Sequence, residues 1–94
     1  MNLDFDWDQW NIQKNEIKHG ISSLEAESVF FDSDLVIFHD IKHSDKEHRY
    51  VLYGLSKYHH ILMLAFMIRN RKVRVISARM ASKKERGIYE KKRN

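Results

Sequence analysis

The sequence predicts an α+β domain, a twisted and largely antiparallel sheet with helices packed on it, in the order β-α-α-β-β-β-β-α. Three observations carry this reading. Arg49 to Leu55, Ile61 to Ile68 and Val73 to Ala78 are strand-like runs divided by short turn segments. The spacing Ser-x-x-Glu occurs at Ser22/Glu25 and again at Ser82/Glu85, where each side chain can cap the other's backbone N–H at a helix start. The chain has 94 residues, no proline and no low-complexity tract, which is enough for one modest core and not for two.

Taken in order, Phe5-Asp6-Trp7 alternates apolar and polar residues and reads as a short first strand. Asp8 is a plausible N-cap for a helix from Gln9 to His19, which Gly20 ends as a left-handed C-terminal residue. Ser22 then starts a second short helix, predicted to run to about Val29, so that Lys18-His19-Gly20 lies at a helical corner. Asp32-Ser33-Asp34 is a turn and Leu35 to His39 a strand. Lys42 to Lys46 is a polar connection into Arg49–Leu55, and Ser56 to His60 makes the next turn. Ile61 to Ile68 is apolar on both faces, as expected of a central strand covered on both sides. Asn70-Arg71 closes a tight hairpin into Val73–Ala78. There Val73, Val75 and Ser77 are predicted to face one way and Arg74, Ile76 and Ala78 the other. The last helix starts at Ser82. Trp7, Trp10, Phe30 and Phe31 are read as core.

Composition narrows the function classes. Without cysteine there is no disulfide framework, thiolate nucleophile or zinc–thiolate site, which suits a reducing cytosol. The longest apolar run, Ile61 to Ile68, is far short of a membrane span, and the acidic first residues do not form a signal peptide. A soluble, cytoplasmic protein with no membrane contact is expected. Charge is unevenly distributed. Met1 to Glu47 carries 4 Lys+Arg against 11 Asp+Glu, a net of −7, and His48 to Asn94 carries 13 against 2, a net of +11. Such asymmetry marks a surface for nucleic acid or an acidic partner in the basic half, unless the two halves neutralise each other across one fold.

The stretch Val73 to Tyr89, VRVISARMASKKERGIY, concentrates this charge at a strand-to-helix junction. Lys83, Lys84 and Arg86 fill the first turns of the last helix, where cations oppose the helix dipole, so an anionic ligand is the simplest user of them. Arg69 and Arg79 end adjacent strands. Guanidinium groups there need a carboxylate or phosphate partner, either an internal ion pair with Glu47 or Glu85 or a phosphodiester held between them. His43 and Glu47, with Arg49 two residues on, supply a base or acid and a phosphate clamp; the plainer reading is a surface loop whose Glu47 pairs with an arginine. His59-His60 with His39, His43 and His48 lack metal-ligand spacing, His59-His60 reads as a turn with two solvated histidines, and no glycine-rich phosphate loop is present. No metal or cofactor is expected.

Together these residues resemble the BrnT family of type II toxin–antitoxin systems. The matching residues are Phe5-Asp6-Trp7-Asp8, Asn15 with Lys18-His19-Gly20-Ile21, Glu25-Ala26, Phe30 with Asp32, and His43-Ser44 with Glu47 and Arg49. Gly54, Arg69, Arg74-Val75-Ile76-Ser77-Ala78-Arg79, and Glu85 with Tyr89 complete the series, which spans nearly the whole chain. The resemblance implies a RelE-like fold and an endoribonuclease that arrests translation, with Lys18, His19, His43, Glu47, Arg49, Arg69 and Arg79 as catalytic candidates. It further implies neutralisation by a BrnA-like ribbon-helix-helix antitoxin, and operon repression by the complex. Arg74, Lys83, Lys84 and Arg86 form the expected RNA-binding strand–helix surface. A two-fold antitoxin would give a 2:2 complex and would itself read the operator DNA. The sequence departs from the family pattern at Met67, where many relatives carry threonine. A non-catalytic RNA- or protein-binding module using the same basic surface is the alternative.

Overall fold

The computed structural model describes residues 3–43 and 46–93, apart from the side chains of Asn15, Ile17 and His43. Its elements are α1 (Gln9–His19), α2 (Ser23–Ser28) running into a 3-10 turn (Val29–Phe31), β1 (Val36–His39), β2 (Arg49–Leu55), β3 (Ile61–Arg69), β4 (Lys72–Met80) and α3 (Lys83–Arg93). The four strands form one antiparallel sheet in the order β1-β2-β3-β4. This is the expected α+β architecture. The first strand contracts to a single parallel bridge between Phe5 and Val73, held by Asp6 N–H to Val73 O and Val73 N–H to Asp4 O, each 2.8 Å.

Local chemistry sets the helix limits. The Asp8 carboxylate accepts from the Trp10 N–H at 2.8 Å and caps α1, which ends where Gly20 adopts φ 68°. At α3 the Ser82 and Glu85 capping box closes in both directions, at 2.8 and 3.2 Å. At α2 only half of it forms. Ser22 Oγ accepts from the Glu25 N–H, but the Glu25 carboxylate turns inward, accepting from Ser56 Oγ at 2.6 Å and lying 2.8 Å from His60 Nδ1. His60 is exposed in the turn, as expected, but its Nδ1 also faces a buried carboxylate, a partner the sequence reading did not supply.

The core lies on one face of the sheet. Leu52, Leu62, Leu64, Phe66, Val73, Val75 and Ala78 pack there against Ile21, Ala26 and Val29. A ladder of rings, Phe5–Phe30–Phe66–Tyr50, extends it, with centroids 5.1 to 5.5 Å apart. Gly54 is required where β2 meets this layer, because a Cβ would lie 2.5 Å from Val29 Cγ1. Trp10 and Phe31, read from sequence as core, are exposed, and β3 is fully covered on one face only. Tyr89 is buried and donates to Asp32 Oδ2 at 2.7 Å, tying α3 to the turn before β1. The β3–β4 hairpin turns at Asn70 and Arg71 with φ of 52° and 64°, the positive values a two-residue hairpin needs.

One irregularity decides what the other face presents. The β3–β4 register shifts between Ala65 and Phe66, so β4 carries an extra residue, Ile76. The strict alternation expected for β4 therefore fails. Ala78 joins Val73 and Val75 in the core, and Ser77 joins Arg74 and Arg79 on the opposite face.

Candidate active site

Residues opposed across antiparallel strands share a face. Arg49, Met67 and Arg74 form one row of the face opposite the core; Val51, Ala65 and Ser77 form a second; Tyr53, Met63 and Arg79 form a third. Arg69, opposite Lys72, follows Met67 on the same face. Four arginines from three strands thus lie on one side of the sheet. Arg74 and Arg79, five residues apart, would lie on opposite sides without the bulge.

Each has a carboxylate neighbour. Arg79 donates to both Glu85 oxygens at 2.7 and 2.9 Å, and Arg69 pairs with Glu47. Arg74 reaches Asp6 at 3.4 Å and Asp8 at 3.2 Å, and Arg49 Nε lies 3.8 Å from Asp40. The two internal pairs that the sequence offers for Arg69 and Arg79 are therefore present. The acidic half of the chain folds back on Arg49, Arg69 and Arg74, while Arg79 takes Glu85 of the basic half; Lys83, Lys84 and Arg86 of α3 differ, being exposed with no carboxylate partner among the described residues. The hydrogen bond and charge of Arg69 hold the Glu47 carboxyl below its usual range, and Arg79 does the same to Glu85. Burial pushes the Tyr53 phenol up, so it remains a neutral donor beside Arg79.

A cleft of about 440 Å³ opens at the Arg49–Met67–Arg74 row, lined also by Asn11, Lys46, Glu47 and Ile76. Met67, the departure from the family pattern, forms its floor between two arginines. Asn11, Lys46 and Tyr53 escaped the sequence reading: cross-strand register brings Tyr53 beside Arg79, and the packing of α1 and of the loop before β2 brings Asn11 and Lys46 to the cleft. Lys18 and His19 end α1 and do not line the cleft at the Arg49–Met67–Arg74 row. His43 closes a 3-10 turn, Ile41–His43, and its side chain lies outside the described residues, as does Ser44. His39 Nε2 and His48 Nδ1 lie 3.0 Å apart. Among the described residues no three His, Asp or Glu side chains converge as a metal ion would require. No described helix is long and apolar enough to cross a membrane.

The family described as "Ribonuclease toxin, BrnT, of type II toxin-antitoxin system" matches residues 7–85. The chain belongs to the BrnT family. Its fold is similar to that of the Brucella abortus ribonuclease toxin, BrnT, known from a crystal structure at 1.1 Å. The TM-score is 0.65 at 24% identity, over 87% of this chain and 100% of the Brucella one. Comparison with curated proteins finds no match. As a BrnT-family member the chain is a ribonuclease toxin of a type II system, with an antitoxin as partner and RNA as target. The matched span takes in every candidate residue except Arg86.

Proposed function

We propose that this BrnT-family toxin cleaves RNA without a metal ion, by internal transesterification. The observation that carries the reading is the face on which the bulge of β4 unites Arg74 and Arg79 with Arg49 and Arg69. Rows two residues apart along a strand stand about 6.6 Å from one another, so the first and third rows are roughly 13 Å apart. One arginine row then stabilises the reacting phosphate while the other holds a neighbouring phosphate of the same strand. Glu47, held ionised by Arg69, is suited to orienting that guanidinium, which leaves His43 as the general base for the 2′-hydroxyl. The 2′-oxygen attacks phosphorus, the bond to the 5′-oxygen breaks, and His19 or Lys18 supplies the proton that the leaving oxygen takes. The products are a 2′,3′-cyclic phosphate and a 5′-hydroxyl. Arg74, Lys83, Lys84 and Arg86 bind the flanking backbone.

The same reading extends to the partner. A BrnA-like ribbon-helix-helix antitoxin covers the basic surface in a 2:2 complex, blocks RNA cleavage and the resulting arrest of translation in the cytoplasm, and reads the operator itself. The ion pairs of Arg69, Arg74 and Arg79 also fit a second reading, a non-catalytic binding module. A cleavage assay in EDTA separates the two. Wild-type protein should yield cyclic-phosphate products, and Arg69→Ala and Arg79→Ala should each lose about 10²- to 10³-fold in rate while staying folded. Cleavage that EDTA abolishes refutes the metal-free mechanism, and undiminished alanine variants refute the arginine clamp. Light scattering checks the 2:2 complex.

A further inference from the structure

The two edges of the sheet differ. β4 is covered by the Phe5 bridge and bordered by α1, whereas no strand among the described residues pairs with the outer edge of β1. Register fixes which backbone groups face out. Asp40 donates its N–H to Arg49 O at 2.7 Å, so Phe38 and Val36, of the same parity, turn their N–H and C=O groups toward β2. Ile37 turns its own away from the sheet. Val36 to Phe38 contains no charge, proline or bulge, the devices by which an edge avoids pairing, and Ile37 and Phe38 are 49% and 41% exposed.

An apolar hollow lies on each side of this edge. On the core side, Ile37, Leu35, Tyr50 and Ile68 line one of about 420 Å³. On the opposite side, Val36, Phe38 and Ile88 line another of similar size, with Lys91 and Lys92 on its rim. An added strand projects alternate side chains to the two faces and would fill both hollows. The rim charge selects the occupant. A second copy paired antiparallel here would bring its own Lys91 and Lys92 toward these, whereas an acidic segment would complement them.

We infer that an extended segment of the protein antitoxin, apolar at alternate positions and carrying Asp or Glu, adds to β1 as a fifth strand. None of the residues placed in catalysis lies on β1, and Val36 and Phe38 continue the Tyr53–Met63–Arg79 and Val51–Ala65–Ser77 rows, so the added strand borders the arginine face at its β1 edge. The test uses the whole toxin and the whole antitoxin encoded with it. Of the hydrogen-bonding groups on β1, Ile37→Pro removes the outward N–H alone, and with the loss of the isoleucine side chain it should weaken the complex by at least about tenfold. Ile37→Val keeps the N–H and should stay within about threefold of wild type, since it trims one methylene from a half-exposed side chain. RNA cleavage by both variants should match wild type, so a failed ribonuclease reading leaves the binding result standing. In wild-type protein the Ile37 amide should gain exchange protection when antitoxin binds, a readout that holds even if Ile37→Pro does not fold. An Ile37 amide that stays unprotected, or wild-type affinity in a folded Ile37→Pro, overturns the inference. So does a toxin homodimer that Ile37→Pro dissolves, which would assign the edge to a second copy.

Discussion

Tyr89 and Asp32 show how much one residue pair holds in place. Burial raises the Asp32 pKa, but hydrogen bonds from the Leu55 N–H, the Tyr89 hydroxyl and the Asp34 N–H outweigh it, and the net shift is downward. Burial and the Asp32 carboxylate push the Tyr89 phenol up to about 12. The signs define a window. A carboxyl whose pKa falls on folding stabilises above its unfolded value, near 4, and loses that contribution as pH drops through the folded value. A phenol whose pKa rises stabilises below about 10 and loses that contribution on the way to 12. Tyr89→Phe should therefore lower stability by about 1–3 kcal/mol between pH 6 and 9. In thermal melts across pH, the gap to wild type should narrow below pH 4 and above pH 10; a gap independent of pH refutes the pairing. Little of this was legible in sequence. Arg69–Glu47 and Arg79–Glu85 were, because few carboxylates lie near in sequence or at the end of a neighbouring strand. Glu25–His60 was not, because both Glu25 orientations satisfy the Ser-x-x-Glu spacing and burial alone decides between them.

At the scale of elements, capped helices and alternating strands were readable to within a residue or two: α1 and β2 have the expected limits. The bulge was not. Ile76 is a good strand residue with no glycine beside it, so nothing in the sequence marks the place where the period of two slips. That slip misassigned Ser77 and Ala78 and hid the shared face of Arg74 and Arg79. Two glycines in packed elements yield opposite expectations. Gly54→Ala forces a methyl into Val29 and should destabilise by about 1–3 kcal/mol, with Val29→Ala partly restoring the loss. Gly87→Ala, inside α3 with nothing within 4 Å of the new Cβ, should stabilise by up to about 1 kcal/mol. Chemical denaturation of the two single variants and the Gly54/Val29 double variant checks both signs.

For the whole molecule, the division of charge between the halves was plain in sequence, and both readings of it hold in different places. Asp6, Asp8, Asp40 and Glu47 neutralise Arg74, Arg49 and Arg69 of the sheet, while Lys83, Lys84 and Arg86 of α3 stay open among the described residues. RNA affinity should accordingly depend on salt chiefly through α3. Phosphate contacts by the open cations Lys83, Lys84 and Arg86 give a slope of log K against log salt near −2, at about −0.7 per contact on a single strand, and Arg74, already paired with Asp6 and Asp8, adds less. Lys83→Gln/Lys84→Gln should reduce its magnitude by about 1.4. Binding titrations from low to moderate salt measure it, and an unchanged slope removes α3 from the RNA interface.

The Asn70-Arg71 turn has a consequence in terms of selection. A two-residue hairpin with both central residues at positive φ favours glycine in second place, and this chain places a long cation there at φ 64°. An exposed cation held at this strained position fits a role in binding better than one in stability. Arg71 is exposed between Arg69 and Lys72, at the tip of the arginine face. Arg71→Gly should raise stability by about 0.5–1 kcal/mol and lower RNA affinity together, a trade visible in one melt and one titration. A turn variant that gains in both would mean that the residue is an accident of history rather than a concession to its target.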